Sequence, residues 1–434
     1  MKIKNRTLED IILLLIIGQV VVFRFFNVYE IMNKVILVLT AMLLLINFIR
    51  GKKLKIGTKS EMLSIAIVVV LLLFNCFLYG CDGAFQSNML MILYPLINVF
   101  YLTYYVKKHQ EFFYKKMIQM KYLINIYFVI NIIVMFIQLQ GTYFLVGVVT
   151  QENTMYEDLI SGLLGYSMVA AVCYFSVFVI AYNIVLSYTI KNRLRRKVFI
   201  AYTVILIGIM AYISIQNDNV QYFPFVLLAL LIIMLSRNRL NTVSGLQKVL
   251  LIVLICMLAV MFALGLVPGF YELLNDSVLY KFTGSLEHMY DGSSVTHGSM
   301  ERLALVVYGL TYAGGWALGK GFSYAGVYTP YTFGFVHFGN ANIGAFICLG
   351  GVWLYLAIIY LYSKKIVNMI EFNDHTNRKL FYRIMVCTFL VAVSMFSIPL
   401  TEVSIGLCVM FIMVVFGLNN YLIVHDERRV CCEK

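Results

Sequence analysis

The chain has 434 residues, of which 62% are apolar, 15% aromatic and only 13% charged, and its mean hydropathy is +0.86. A soluble domain carries about 45–50% apolar and about 25% charged residues, so a water-soluble globular fold is excluded. A bilayer takes up about 20 apolar residues per helical span. With five prolines and no low-complexity stretch, the expectation is an all-α polytopic membrane protein forming one integral domain over 1–434.

In chain order, hydropathy predicts twelve spans at 10–26, 35–49, 62–79, 89–106, 122–139, 162–190, 198–215, 222–235, 249–268, 340–362, 384–401 and 403–424. Lys2, Lys4 and Arg6 precede the first span as in a signal peptide. No small-residue cleavage site follows, so the segment is expected to stay. With the N-terminus inside, 29 of the 34 Lys and Arg fall on inner segments, and the outer side holds Arg24, Lys34, Lys281, Arg302 and Lys320. Cations beside spans resist translocation, so the predicted topology is N-in and C-in. The net +13 divides into +20 inside and −7 outside. The basic balance therefore reflects insertion and not nucleic-acid binding.

Cys76, Cys173, Cys256, Cys348, Cys387 and Cys408 are scattered through the spans, Cys81 lies at an outer edge, and Cys431 and Cys432 lie on the inner tail. This spacing predicts neither a disulfide framework nor a zinc site, because no pair sits together outside and CxxC and HxxxH spacings are absent.

Most outer loops are short, but the one between the ninth and tenth spans covers 269–339, 71 residues. Its stretch RLALVVYGLTYAGGWALG (302–319) is apolar enough to suggest another span. Were it to cross, Lys364, Lys365, Arg378, Lys379 and Arg383 would lie outside, so a helix at the outer surface or one that dips in and returns is expected. The following GGWALGKGF resembles a nucleotide P-loop, but Gly321 stands where the metal-binding Ser or Thr belongs and no strand precedes it. What survives is Lys320 between Gly319 and Gly321, either a backbone N–H nest for an anion or a solvated turn.

Anionic substrates at the outer face need its few cations. Arg302 opens the apolar helix, and its planar fork suits phosphate oxygens, the alternative being an interfacial side chain. Arg24 and Lys34 lie at span ends, where snorkelling is expected.

The arrangement is similar to the O-antigen and capsular polysaccharide polymerases (Wzy type), which are related to the O-antigen ligases. The resemblance rests on the dozen spans, the large late outer loop, Arg302 opening an amphipathic segment, the turn Leu318-Gly319-Lys320-Gly321, and GNANIGAFICLGGVW, in which nine residues separate Asn340 from Gly350. Two departures stand out. Gly339 occupies the position of the family's His, with His337 two residues upstream, and QNDNVQ (216–221) has no cation where many such polymerases carry an Arg.

The resemblance implies a membrane-embedded glycosyltransferase of the bacterial cytoplasmic membrane that extends polyprenyl-diphosphate-linked oligosaccharides, alongside membrane lipid and with a chain-length regulator and a flippase as candidate partners. It implies no cofactor and no metal. Arg302 and Lys320 would stabilise the leaving diphosphate. His337 is a candidate general base, with Asp276, Glu287, Asp291 and Glu301 as alternatives, while Lys281, Asn340, Gly319 and Gly321 are candidate substrate contacts. The alternatives are a lipid-linked oligosaccharide flippase and a ligase. Span interiors nearly free of charge and the absence of matching halves weigh against a carrier.

Overall fold

The computed structural model describes residues 5–49, 59–141, 160–165, 168–217, 219, 221–237, 298–328, 335–370 and 376–432. Along the chain these form α1 (Asn5–Gly18), continued by a π-helical turn (Gln19–Phe23), α2 (Tyr29–Ile49), α3 (Lys59–Tyr79), α4 (Gly83–Lys108), α5 (Gln110–Gln119), α6 (Lys121–Leu139), a 3₁₀ turn (Gly162–Leu164), α7 (Val169–Ser187), α8 (Arg193–Gln216) and α9 (Tyr222–Arg237). After these come α10 (Gly298–Thr311), a hairpin of β1 (Gly326–Tyr328) and β2 (Phe335–His337), α11 (Asn342–Met369), α12 (Thr376–Phe396) and α13 (Val403–Cys432).

Nine of the described helices are long and apolar enough to cross a membrane: α2, α3, α4, α6, α7, α8, α11, α12 and α13. The expected first span resolves into the 14-residue α1 and its π turn, and the expected eighth into the 16-residue α9. The expected ninth, 249–268, lies outside the described residues, as do Lys281, Asp276, Glu287 and Asp291.

Burial sorts the helices into centre and rim. In α7 and α13, 83% of the apolar stretch is buried, against 17% in α2 and α3. The rim helices turn Val38, Leu45, Leu63, Val70, Leu73 and Phe77 outward. An apolar exterior of this extent, on helices long enough to span, fits the acyl chains of a bilayer. Inside, rings from four helices meet in series, Tyr174 on Phe225 at 5.2 Å, Phe225 on Phe389 at 5.4 Å and Phe389 on Phe416 at 6.1 Å. In lipid, packing of this kind replaces the hydrophobic effect as the force between helices.

Polar contacts gather at the two ends of the bundle. At one end the buried Glu9 carboxylate accepts from Lys108 at 2.5 Å and pairs with His109 at 2.9 Å, Lys365 pairs with Glu61 at 3.0 Å, and Arg237 donates to Asn419 at 2.7 Å. Burial alone would raise the Glu9 pKa, but Lys108 and His109 overcome it and hold the carboxyl below the usual carboxylate range. At the other end Tyr79 donates to the Gly319 carbonyl at 2.6 Å, Ser323 to Asp82 at 2.9 Å, and Asn217 to the Ile160 carbonyl at 3.2 Å. Glu9, Lys108, His109, Glu61 and Lys365 lie on segments that the charge pattern assigns to the inner side, and Asp82, Ser323, Asn217 and Ile160 on segments it assigns to the outer.

One expectation about cysteine is corrected. Cys76 and Cys81 form a disulfide, their Cα atoms 5.5 Å apart. α3 ends at Tyr79, and Gly80, with φ +85°, folds the chain back over the last helical turn. The linear reading placed Cys76 inside a span and Cys81 at its rim and so kept them apart. This fixes how sidedness is to be measured. With Cys431 and Cys432 replaced by Ser and the disulfide retained, Tyr324→Cys is expected to react with an impermeant thiol reagent on intact cells, and Lys191→Cys only after lysis. The reverse pattern would invert the orientation.

Candidate functional site

α10 explains the ambiguous apolar stretch. Its 14 residues reach about 21 Å, short of the about 30 Å hydrocarbon core. It lies instead along the first half of α11. Small residues allow the close approach: a Cβ on Gly309 would stand 2.8 Å from Ile347, and one on Gly344 would stand 2.5 Å from Leu305.

After α10 the chain turns and plugs a break in α11. Gly351 has φ +81° and interrupts that helix, releasing backbone groups that no lipid can satisfy. Lys320 N–H donates to the Cys348 carbonyl at 2.7 Å, Gly321 N–H to Leu349 at 2.9 Å, and Val352 N–H to Gly315 at 2.7 Å. From α3, Asn75 donates to the Leu318 and Leu349 carbonyls at 3.1 and 3.2 Å. The segment therefore enters the bundle and returns.

The plug corrects the anion-nest expectation. Gly319 N–H donates to the Gly314 carbonyl at 3.2 Å, so all three backbone donors of Gly319, Lys320 and Gly321 are used within the protein. The glycines serve close packing: a Cβ on Gly319 would lie 2.5 Å from the Cys348 oxygen. Lys320 is half-buried, its ammonium donating to the Tyr308 hydroxyl at 2.5 Å and lying 4.8 Å from that ring. Gly351→Ala, whose Cβ would meet the Ala317 oxygen at 2.2 Å, is expected to cost about 3 kcal/mol or more through strain at a left-handed position combined with loss of the plug. Gly208→Ala, in open space, is the control, expected within about 0.5 kcal/mol or slightly stabilising. Equal thermal stability of the two purified variants would contradict this role for the break.

Arg302, in the first turns of α10, is half-buried, and its Nε donates to the Asn340 carbonyl at 3.3 Å. Asn340 N–H donates in turn to the His337 carbonyl at 3.3 Å. Asn340 thus links the Arg302 side chain to the backbone of His337. His337 itself is exposed, at the end of β2, where it pairs with Gly326.

Behind Asn340, the fully buried Asn342 fastens the turn between α12 and α13. It donates to Thr401 Oγ1 at 3.0 Å and accepts from Leu400 N–H at 2.7 Å, while its own N–H reaches the Ser397 carbonyl at 3.0 Å. Ser397 Oγ lies 2.9 Å from the hydroxyl of Tyr174, which also donates to Gln221 at 3.0 Å. Arg302 lies within electrostatic range of that phenol. Gln221, the last residue of QNDNVQ, thus joins this network through its side-chain amide oxygen.

Arg24 departs from its expected snorkel. Its side chain is only 14% exposed, its guanidinium stacks 3.8 Å from the Tyr29 ring centroid, and it faces Glu402, next to Thr401, at 3.9 Å. Lys34, by contrast, is exposed on α2, as expected. Sequence reasoning missed Tyr174, Gln221, Asn342, Ser397 and Glu402. Their signal was polarity inside or beside apolar spans, which also marks ordinary helix packing. Asp82, at the rim, has its carboxyl held below the usual range by the Phe85 N–H, then by Ser323. Among the described residues no three His, Cys, Asp or Glu side chains converge to hold a metal ion.

No protein-family model, curated protein or solved structure significantly matches the chain.

Proposed function

We propose that this chain polymerises polyprenyl-diphosphate-linked oligosaccharide repeat units into a surface polysaccharide, O-antigen or capsule, at the outer face of the bacterial cytoplasmic membrane. The observation that carries the reading is the placement of Arg302. It stands on a helix that packs into the bundle, half-buried, with its Nε on a backbone carbonyl and close to a polar network of Asn342, Ser397 and Tyr174. A cation in that setting suits a substrate whose anionic head lies at the membrane surface while its tail remains in lipid.

In the proposed reaction, the bond between the anomeric carbon of the growing glycan and its diphosphate oxygen breaks. A new bond forms from that carbon to a hydroxyl of the incoming unit. The hydroxyl proton passes to a base, for which His337 is the candidate, and the charge gathering on the departing diphosphate is stabilised by Arg302. Lys320, hydrogen-bonded to Tyr308 on the helix that carries Arg302, is a secondary cation for the head group. The energy of transfer resides in the leaving group. Purified protein in liposomes, given only the lipid-diphosphate oligosaccharide, is therefore expected to build a ladder of longer lipid-linked glycans and release polyprenyl diphosphate, with or without EDTA. Ladder formation that stops on adding EDTA would overturn the metal-independent mechanism, and no ladder would overturn the enzyme reading.

A further inference from the structure

The outer ion pair between Arg24 and Glu402 has features that a purely structural pair does not need. The carboxylate stands 3.9 Å from Nη1, beyond hydrogen-bond length, and Nη1 is buried with no hydrogen-bond acceptor in reach. Closed guanidinium–carboxylate pairs are frequently two-pronged, with contacts of about 2.8 Å. A buried guanidinium N–H without an acceptor is costly, and Arg24 keeps one at the face where anionic head groups lie.

The local backbone holds Arg24 in place. The preceding turn, Gln19–Phe23, is π-helical, a form that is uncommon and concentrates at functional sites. Asn27, three residues on, has φ 55° and is the single non-glycine residue with positive φ among those described. Gly165 presses on the Arg24 carbonyl so closely that a Cβ there would lie 2.9 Å from its oxygen. Arg24 and Arg302 are also tied to one structure from two sides. Glu402 adjoins the Leu400–Thr401 turn that Asn342 fastens, and Asn342 lies two residues from the Asn340 carbonyl that takes Arg302.

From this geometry we propose that Arg24 is a second phosphate-binding cation of the outer site, acting with Arg302 on a diphosphate, and that Glu402 is its intramolecular competitor for that charge. The lipid-linked identity of the diphosphate rests on the polymerase reading; the anion site does not.

The test is equilibrium binding of farnesyl diphosphate to the full-length protein in zwitterionic nanodiscs, followed by calorimetry. Arg24→Gln is expected to raise Kd about 10-fold to 100-fold, the range for losing a charge-assisted hydrogen bond. Glu402→Gln removes the competitor and is expected to lower Kd about threefold. Arg24→Lys keeps the surface charge but not the fork, and is expected to weaken binding about 10-fold even if Arg24→Gln fails to accumulate. Inorganic pyrophosphate is the second arm. The same opposite changes there would show that the free anion suffices, and their restriction to farnesyl diphosphate would show that the lipid tail takes part. Kd values within twofold of wild type in both variants, or equal weakening by both, would mean a structural ion pair and overturn the proposal. Opposite changes in a protein that builds no ladder would keep the anion site and remove the polymerase; a full ladder with unchanged Kd in Arg24→Gln would do the reverse.

Discussion

Arg302→Ala is expected to lower the rate of glycan transfer about 10²–10³-fold, equivalent to about 2.7–4 kcal/mol, while protein level and insertion stay at wild type. The split follows from the geometry. α10 is held to α11 through Leu305 and Gly309 against Gly344, Ile347 and Cys348, and its return loop is held through Cys348 and Leu349, so these contacts do not involve the guanidinium. What the variant loses is a preorganised donor to developing negative charge. Arg302→Lys is expected to recover little of that loss, because an ammonium cannot keep the Asn340 carbonyl and grip two phosphate oxygens together. Transfer at near wild-type rate by Arg302→Ala in reconstituted liposomes would move the phosphate site away from α10.

His337→Ala is expected to lower the rate about 10²–10⁴-fold, the range for removing a general base. The hairpin and the Asn340 link join His337 to the site through backbone atoms, so alanine leaves the link intact. The distinguishing readout is chemical rescue: free imidazole added to the assay is expected to restore part of the rate to His337→Ala and to leave wild type unchanged. A variant with an unchanged rate would return the role to a carboxylate, Glu301 among them.

Much of the fold is legible in the sequence, for a physical reason. Spans are written as long apolar runs, and the sidedness of Lys and Arg marks their ends; α3, α6, α8 and α11 therefore begin within a few residues of the hydropathy limits. α4 begins earlier, at Gly83, because Asp82 caps it, accepting from Phe85 N–H at 2.7 Å. Hydropathy does not see such a cap. The charge argument also predicts a helix that lies at the outer surface or dips in and returns rather than a further span, and α10 packs along the first half of α11, with the loop after it turning back. The role of the glycines around Lys320 was not legible. Their spacing fits an anion nest equally well, and only the break at Gly351, in a distant helix, decides that their N–H groups face carbonyls. Arg24 illustrates the same limit. A cation at a span end snorkels by default, and its turn toward Glu402 depends on a contact between the first and last elements of the bundle.

The most direct test of the central claim, that transfer occurs at the face carrying Arg302, is chain growth in sealed membrane vesicles of known orientation. A water-soluble short-prenyl diphosphate oligosaccharide would be added outside right-side-out and inverted vesicles. The account predicts lengthened glycans in right-side-out vesicles, and in inverted ones only after permeabilisation. Growth in intact inverted vesicles would contradict the placement of the site, and uptake of the oligosaccharide with no lengthening in either preparation would make the protein a carrier.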